Sequence, residues 1–466
     1  MNFKHFIYLS LMNNVTTVSA KVPLSKKIAF ALGQTGWSLA VFGFTELIYF
    51  FYLPPDNGKP LFKAFVYQGS VFKIFTIVGL LSAIGYIISA FMEPIVGSLS
   101  DRSTFKFGKR KTFMALAVVP FALVSVLVFF PLADGLHAIN AIWLSVTVIA
   151  AFMIKCFYTT PYNAMINEMA KDEKERLYII MLISVTYALG IGIGQTINII
   201  IDSFKDQYSN ETIFKASIVA YALISLVCML MPILFVDDNS GKNIDVELQK
   251  NNNSNVSIFD PMREVWNDKN YRIFVIVELI YWFPSKIFTV AVPYFVAALM
   301  NLNNVYTSYI LYACGIGSFL LYPVIDKLVD KFGKKNVMQS AFVVLILANL
   351  FTATIGMYDL SKMVVFSFYV ILNMYPIAVL GILPMAMAGD NAEHNAKETG
   401  VYRNASYYAL KTFMMKIGVA ITSLIFPSLL LLGKSPTNPF GVRLVAVTCM
   451  IASLLAFIVL RKYKDV

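Results

Sequence analysis

The sequence predicts an all-α membrane protein, with twelve transmembrane helices in two pseudo-symmetric six-helix bundles. Three observations predict it. Apolar runs of about 20 residues, long enough to cross a bilayer core, recur along the whole 466-residue chain. Only 14% of residues are charged and 58% are hydrophobic, with a mean hydropathy of +0.68; a soluble domain carries about 25% charge. The basic residues behind the formal net charge of +11 collect in the gaps between apolar runs. That pattern reports membrane topology rather than a nucleic-acid surface.

Taken in order, residues 1–27 read as a cytoplasmic tail, with Met12 as an alternative start. Lys4, a short apolar stretch and Val18-Ser19-Ala20 faintly resemble a secretory leader, but Asn13-Asn14 break the apolar core. The first bundle, 28–236, holds spans at about 28–53, 74–98, 112–132, 138–165, 178–201 and 213–236. Residues 237–270 form a polar cytoplasmic linker containing Asn251-Asn252-Asn253-Ser254-Asn255, a flexible composition. The second bundle, 271–461, holds spans at about 271–300, 305–325, 337–358, 363–388, 405–432 and 442–460, and 462–466 is a short tail. Cys156, Cys228, Cys314 and Cys449 each lie within an apolar run and read as buried thiols, with neither disulfide nor metal spacing.

Orientation follows from the loops. Arg102, Lys106, Lys109, Arg110 and Lys111 lie between spans 2 and 3; Lys327, Lys331, Lys334 and Lys335 lie between spans 8 and 9; Arg461, Lys462 and Lys464 end the chain. Loops on the other side are poor in Lys and Arg, so both termini and the linker are expected in the cytoplasm of an inner (plasma) membrane. The 2–3 and 8–9 loops also repeat each other. Asp101-Arg102 stands seven residues before Gly108-Lys109-Arg110, and Asp326-Lys327 seven before Gly333-Lys334-Lys335. Repeats of this kind build many secondary transporters.

These residues resemble the major facilitator superfamily. Glu93-Pro94-Ile95-Val96-Gly97, Asp101-Arg102 and Phe107-Gly108-Lys109 resemble in particular the glycoside–pentoside–hexuronide:cation symporters, which usually have Asp where Glu93 stands. Pro161-Tyr162-Asn163-Ala164 with Glu168, and Asp390, Glu393, Thr399-Gly400, Arg403 and Lys416-Ile417-Gly418, resemble that family's span 4 exit, its acidic loop 10–11 and its span 11 lysine. The resemblance implies the major facilitator fold, alternating access, and a small polar substrate: a sugar, glycoside or hexuronide. It also implies that Glu93, Asp101, Arg102, Gly108, Lys109, Arg110, Asp326, Gly333, Lys334, Asp390 and Glu393 act in gating or loop anchoring, and that Lys416 faces the cavity. The acids that hold sodium in the family have no counterpart here. Leu53-Pro54-Pro55, Ser38 and Thr159 stand where they fall, and Ile183 replaces a helix 5 arginine. H+ is therefore the expected coupling ion rather than Na+.

An ionisable side chain at bilayer depth marks function by default. Glu46, Lys155, Glu278, Lys286 and Lys416 lie at such depth. Spans 1, 4, 7 and 10 line the cavity in this superfamily, and Glu46 with Lys155, and Glu278 with Lys286, are the expected pairs. Glu93 is expected to cap a helix or pair with the basic loop. Lys155, Thr159 and Tyr162 share a helix face by their i, i+4, i+7 spacing, a polar face that suits a ligand. Trp282 lies one turn from both Glu278 and Lys286, where it can stack a sugar ring, and Pro284 is expected to break that helix and free a carbonyl. Asn373 with Tyr369, and Gln195 with Asn198, are further candidates. His394 reads as a solvated loop histidine. With His5, His137 and His394 scattered and no phosphate-binding Gly-rich loop, neither catalysis, a metal site, a cofactor nor ATP drive is expected. The expected partners are the substrate and the lipid bilayer, with no nucleic acid, around a monomer. Two other readings stay open: an amphiphile or lysolipid carrier of the same fold, and a non-transporting sensor or scaffold.

Overall fold

A computed structural model describes residues 22–56, 61–170, 172–237, 260–401 and 403–465. Among them are twelve helices long and apolar enough to cross a membrane. The first six are α1 (Leu24–Tyr52), α2 (Ile77–Asp101), α3 (Lys109–Leu127), α4 (Ala138–Met169), α5 (Lys174–Phe204) and α6 (Asn210–Phe235). The second six are α7 (Lys269–Leu299), α8 (Val305–Phe332), α9 (Lys334–Thr354), α10 (Lys362–Thr399), α11 (Ala405–Leu430) and α12 (Phe440–Leu460). The ends of α2 and α8 and the starts of α3 and α9 lie at what is called here the basic end; the opposite end is the far end.

Start signals follow ordinary chemistry. Thr76, Asp172, Ser209, Asp268 and Ser361 each cap a helix by accepting a backbone N–H on a side-chain oxygen. The repeated basic turn has the same geometry in both halves. Gly108 (φ 114°) precedes α3 and Gly333 (φ 80°) precedes α9, conformations that side-chain-bearing residues rarely adopt. Each turn starts a helix whose first basic residues reach the helix after it. Arg110 pairs with Glu168 on α4 at 3.0 Å, and Lys334 with Asp390 on α10 at 2.6 Å.

In the first half α1 packs on α5 and α6, and α4 on α2 and α3; in the second, α7 packs on α11 and α12, and α9 on α10 and α12. The α2–α11 contact joins the halves extensively. Close approach sets these distances. A Cβ on Gly36 of α1 would sit 2.6 Å from the Ser225 carbonyl oxygen of α6, so only glycine lets the two backbones meet. Aromatic packing fills the far end of the first half, where Phe51 stacks on Phe214 at 4.8 Å and on Phe65 at 5.6 Å.

Several expectations are corrected. α10 runs to Thr399, so Asp390, Glu393 and His394 stand on a helix and not in a loop; the helix accommodates Pro384 and Gly389, and no further proline or glycine follows until Gly400. Asp326 likewise lies inside α8, which ends only at Gly333. The linker contains a short helix, Asp260–Trp266; its asparagine-rich part, like the tail with His5 and Met12, lies outside the described residues. α5 is interrupted between Gln195 and Ile197, a feature absent from the sequence reading. Helix 7 continues through Pro284, which therefore does not break it. Two π-helical turns were also unforeseen, Gly43–Leu47 in α1 and Phe295–Leu299 in α7, at corresponding places in the two halves.

Candidate functional site

The buried charges form three clusters, and the pairing differs from the expected one. Glu46 lies within the π-helical turn of α1, and its carboxylate pairs with Lys286 on α7, not with Lys155. Thr289, one turn beyond Lys286, donates to the other carboxylate oxygen at 2.8 Å. Lys286 Nζ also reaches the Thr45 carbonyl at 3.4 Å and lies 5.8 Å from the Tyr86 ring centroid. This cluster joins the two halves of the molecule. π-turns occur often at functional sites, and this one carries the acid.

The second cluster centres on Glu93. It points away from the basic loop and into the molecule, between Lys155 of α4 at 3.9 Å and Lys416 of α11. Glu93 lies eight residues before the end of α2, ~12 Å deep at 1.5 Å per residue, too far in to reach the loop it was expected to cap. Lys416 Nζ also donates to Ser89, at 3.1 Å to its carbonyl and 3.2 Å to its hydroxyl. Two ammonium groups thus face one carboxylate, and the cluster again spans both halves.

The third cluster is internal to the second half. Glu278 has no exposed surface and pairs with Lys411 at 3.1 Å, not with Lys286. Trp282 Nε1 donates to its other oxygen at 2.8 Å. Glu278 and Lys286 are eight residues apart on one helix, so they are two turns apart and meet different neighbours.

Other candidates divide. Tyr162 is fully buried, stacks on Phe30 at 4.4 Å and donates to the Phe30 carbonyl at 2.8 Å. It holds α1 to α4 and does not face a ligand, which corrects the expectation of a shared polar face. Thr159 is buried and donates to the Lys155 carbonyl of its own helix at 3.0 Å. Asn373 and Trp282 line a cavity of about 290 Å³ among α7, α8, α9 and α10, with Gln195 of α5 at its edge. Lys416 and Glu93 line a second, of about 640 Å³, between α2, α4 and α11 in the basic half. Cavity walls thus come from more helices than the expected four. Asp101 and Arg110 pair at the α2–α3 corner, and Ser100 accepts from Arg110 at 2.5 Å. Arg102 follows the last residue of α2. Lys109 is the first residue of α3. Glu393 pairs with Lys397 at 2.8 Å, and His394 faces Glu398 at 3.2 Å, both at half-open or exposed positions. Ser89, four before Glu93, and Thr289, three after Lys286, were missed from the sequence, and Lys411, five before Lys416, was not matched there with Glu278. Helical spacing from a known charge would have found the first two.

Besides the α2–α11 contact, the halves are joined by hydrogen bonds toward the far end. Tyr294 Oη donates to the Leu53 carbonyl at 2.7 Å, Tyr312 Oη to the Gly192 carbonyl at 2.7 Å, and Asn303 Nδ2 to Asp202 at 2.9 Å. The larger cavity lies toward the basic end, where Met262 of the linker helix, Ser406 and Tyr408 edge it. The described state is therefore closed at the far end.

Residues 74–459 match the family described as MFS/sugar transport protein. The chain belongs to that family. It is an integral membrane protein of the major facilitator fold, built for transport. Sequence relatives include the glucuronide carrier protein homolog of Escherichia coli, 22% identical over 72% of this chain and 71% of its own length. The isoprimeverose transporter of Lactiplantibacillus pentosus is 19% identical over 71% and 64%. A glycoside/cation symporter homologue of E. coli, YagG, is 31% identical over 22% of each chain. These aligned regions cover between about a fifth and seven-tenths of the relatives' lengths. Among solved structures, a D-xylose-proton symporter superposes with a TM-score of 0.65 over 95% of this chain and 98% of its own, at 12% identity, which shows a shared fold. None of these relatives favours the amphiphile-carrier or sensor reading.

Proposed function

We propose that this chain is a cation-coupled symporter of a small polar solute, a sugar, glycoside or hexuronide, and that H+ is the coupling ion. The observation that carries the reading is the Glu46–Lys286 pair, which bridges α1 and α7 across the two halves beside the cavities. A proton on the Glu46 carboxyl cancels its charge and so its attraction to Lys286. The released ammonium then has donors free for a substrate hydroxyl or carboxylate. Loading and loosening of the far end are thereby linked, as alternating access requires. Glu46 fits the role better than Glu278, which is sealed against Lys411 in this state. Sodium needs several oxygen ligands, and where the family's sodium acids fall this chain has the neutral side chains of Ser38 and Thr159 and the run Leu53-Pro54-Pro55, with no carboxylate.

The basic end, with both chain termini and the linker, faces the cytoplasm in this reading, because the Lys-rich loops lie there. The protein works as a monomer in the plasma membrane. A reporter fused after Asp465 tests the orientation and should be active only in the cytoplasm. For the coupling, sugars and glycosides are first screened by thermal shift on purified protein, and the ligand found is then offered to proteoliposomes. Uptake should follow an imposed proton gradient and stop with a protonophore. Glu46→Gln should lose accumulation while keeping exchange of ligand down its own gradient. Sodium-stimulated uptake that ignores a protonophore would overturn the coupling ion.

A further inference from the structure

The 290 Å³ cavity among α7, α8, α9 and α10 is unlike the charged centre beside it. Phe288, Leu311, Leu345, Ile377 and Leu380 dominate its wall, and Gly315 and Gly381 present no side chain there. Polar side chains are the minority of its lining: Gln195, Tyr281, Ser285 and Thr289, with Trp282 and Asn373, whose N–H groups are already engaged. Trp282 Nε1 donates to Glu278 at 2.8 Å, and Asn373 Nδ2 to the Tyr369 carbonyl at 2.8 Å. A pyranose ring carries hydroxyls around its rim, and each one buried against such a wall loses its water partners without replacement. The sugar ring therefore does not belong in this cavity. It belongs at Glu46, Lys286 and Thr289, where a carboxylate, an ammonium and a hydroxyl converge; the space at Glu46 is only about 20 Å³ in this state, so the ring enters once the Glu46–Lys286 pair has parted. Gln195, Thr289 and Leu311 line both the apolar cavity and the small one that contains Glu46, so the two spaces are neighbours with a shared wall.

We propose that the apolar cavity is a subsite for the aglycone of the substrate, so that this protein prefers glycosides bearing an apolar, aryl-sized substituent over free sugars. The inference rests on the sugar reading above and names the substrate class more closely. The size agrees. A cavity of ~150 Å³ takes one benzene, and this one has about twice that volume, room for a substituted ring. Gly315 makes the preference adjustable, because a Cβ added there meets nothing within 4 Å. A side chain at 315 therefore starts into open space on the cavity wall, and a helix accepts leucine more readily than glycine.

The test uses purified full-length protein and matched pairs of methyl and 4-nitrophenyl glycosides, with galactose, glucose, xylose and glucuronic acid as the sugar. Binding is measured by calorimetry. For the sugar that binds, the nitrophenyl compound should bind roughly tenfold tighter or more, the scale on which apolar pockets discriminate. Gly315→Leu should abolish that ratio while leaving methyl glycoside binding within about twofold of the original. Gly381→Leu, on another wall of the cavity, provides the same test should the first variant fail to assemble. Equal affinity within each pair, the result expected if a lipid acyl chain fills the cavity instead, overturns the subsite and leaves the sugar reading standing. Parallel loss of both ligands in the two leucine variants overturns it as well. If none of the eight glycosides binds, the sugar reading falls, and the subsite falls with it.

Discussion

Glu278 is fully buried, and Lys411 balances its charge at 3.1 Å. Removing one partner of such a pair leaves a charge in a low dielectric, which destabilises by about 3–5 kcal/mol. Lys411→Met should therefore lower the thermal midpoint in detergent sharply, and the double variant Glu278→Leu, Lys411→Met should regain most of the loss. If the double variant is no more stable than the single one, the pair is not the reason for the loss. Tyr162 makes a smaller, neutral contribution. Tyr162→Phe removes one hydrogen bond to the Phe30 carbonyl, worth about 1 kcal/mol, and should leave uptake unchanged; reduced uptake at normal stability would return Tyr162 to the substrate path. That Glu46, Lys155, Glu278, Lys286 and Lys416 lie deep in the spans was legible in the sequence, because each interrupts an apolar run. Their partners were not. Glu46 and Lys286 are 240 residues apart, and a pairing between helices depends on their rotation and depth. Those are set by close approaches such as Gly36 against the Ser225 carbonyl, which no single run of residues encodes.

At the scale of the element, the Gly108 and Gly333 turns are the clearest case of sequence reading turned into geometry. Both have positive φ, and both launch a helix whose first basic residues reach an acid on the next helix of the same half. The acid of the repeat behaves differently in the two copies. Asp101 ends α2 and pairs with Arg110, while Asp326 is absorbed into the longer α8. Arg110 is buried and holds Asp101, Ser100 and Glu168 together, so it ties α2, α3 and α4 at the basic end. Asp101→Asn removes one charge from that corner but leaves Glu168 in place. It should assemble and express near normally and slow transport several-fold, the outcome expected of a corner that biases one side of the access equilibrium. Uptake at the unmodified rate would show that the Asp101 charge takes no part in the cycle. The twelve spans were legible because bilayer thickness imposes their length. The π-turns and the break in α5 were not, since they arise from packing between helices and leave no periodic signal of their own.

For the whole molecule, the distribution of contacts between the halves implies motion. The far end is closed by Tyr294 on the Leu53 carbonyl, Tyr312 on the Gly192 carbonyl and Asn303 on Asp202, while the 640 Å³ cavity occupies the basic half. Transport needs the opposite arrangement as well, so these contacts must part once per cycle. The charge clusters respond differently to such a movement. Glu278–Lys411 lies within one half and travels intact, whereas Glu46–Lys286 and Glu93–Lys416 each join α1 or α2 to the other half and are strained or broken. The moving interface can be fixed where it is exposed. Asp202→Cys with Asn303→Cys places two thiols at positions whose side chains now meet at 2.9 Å; of the native cysteines Cys156, Cys314 and Cys449 are buried, whereas Cys228, against the sequence expectation, is half-buried and is first changed to alanine. A short bifunctional thiol reagent should link the two and stop uptake, and a cleavable version should restore uptake on reduction. Ligand binding should persist in the linked protein, because the state it traps keeps the basic-half cavity. Each single-cysteine variant should be insensitive to the reagent. Full transport by the linked pair would mean that the far end does not open between α5 and α8, and that the two halves move about some other seam.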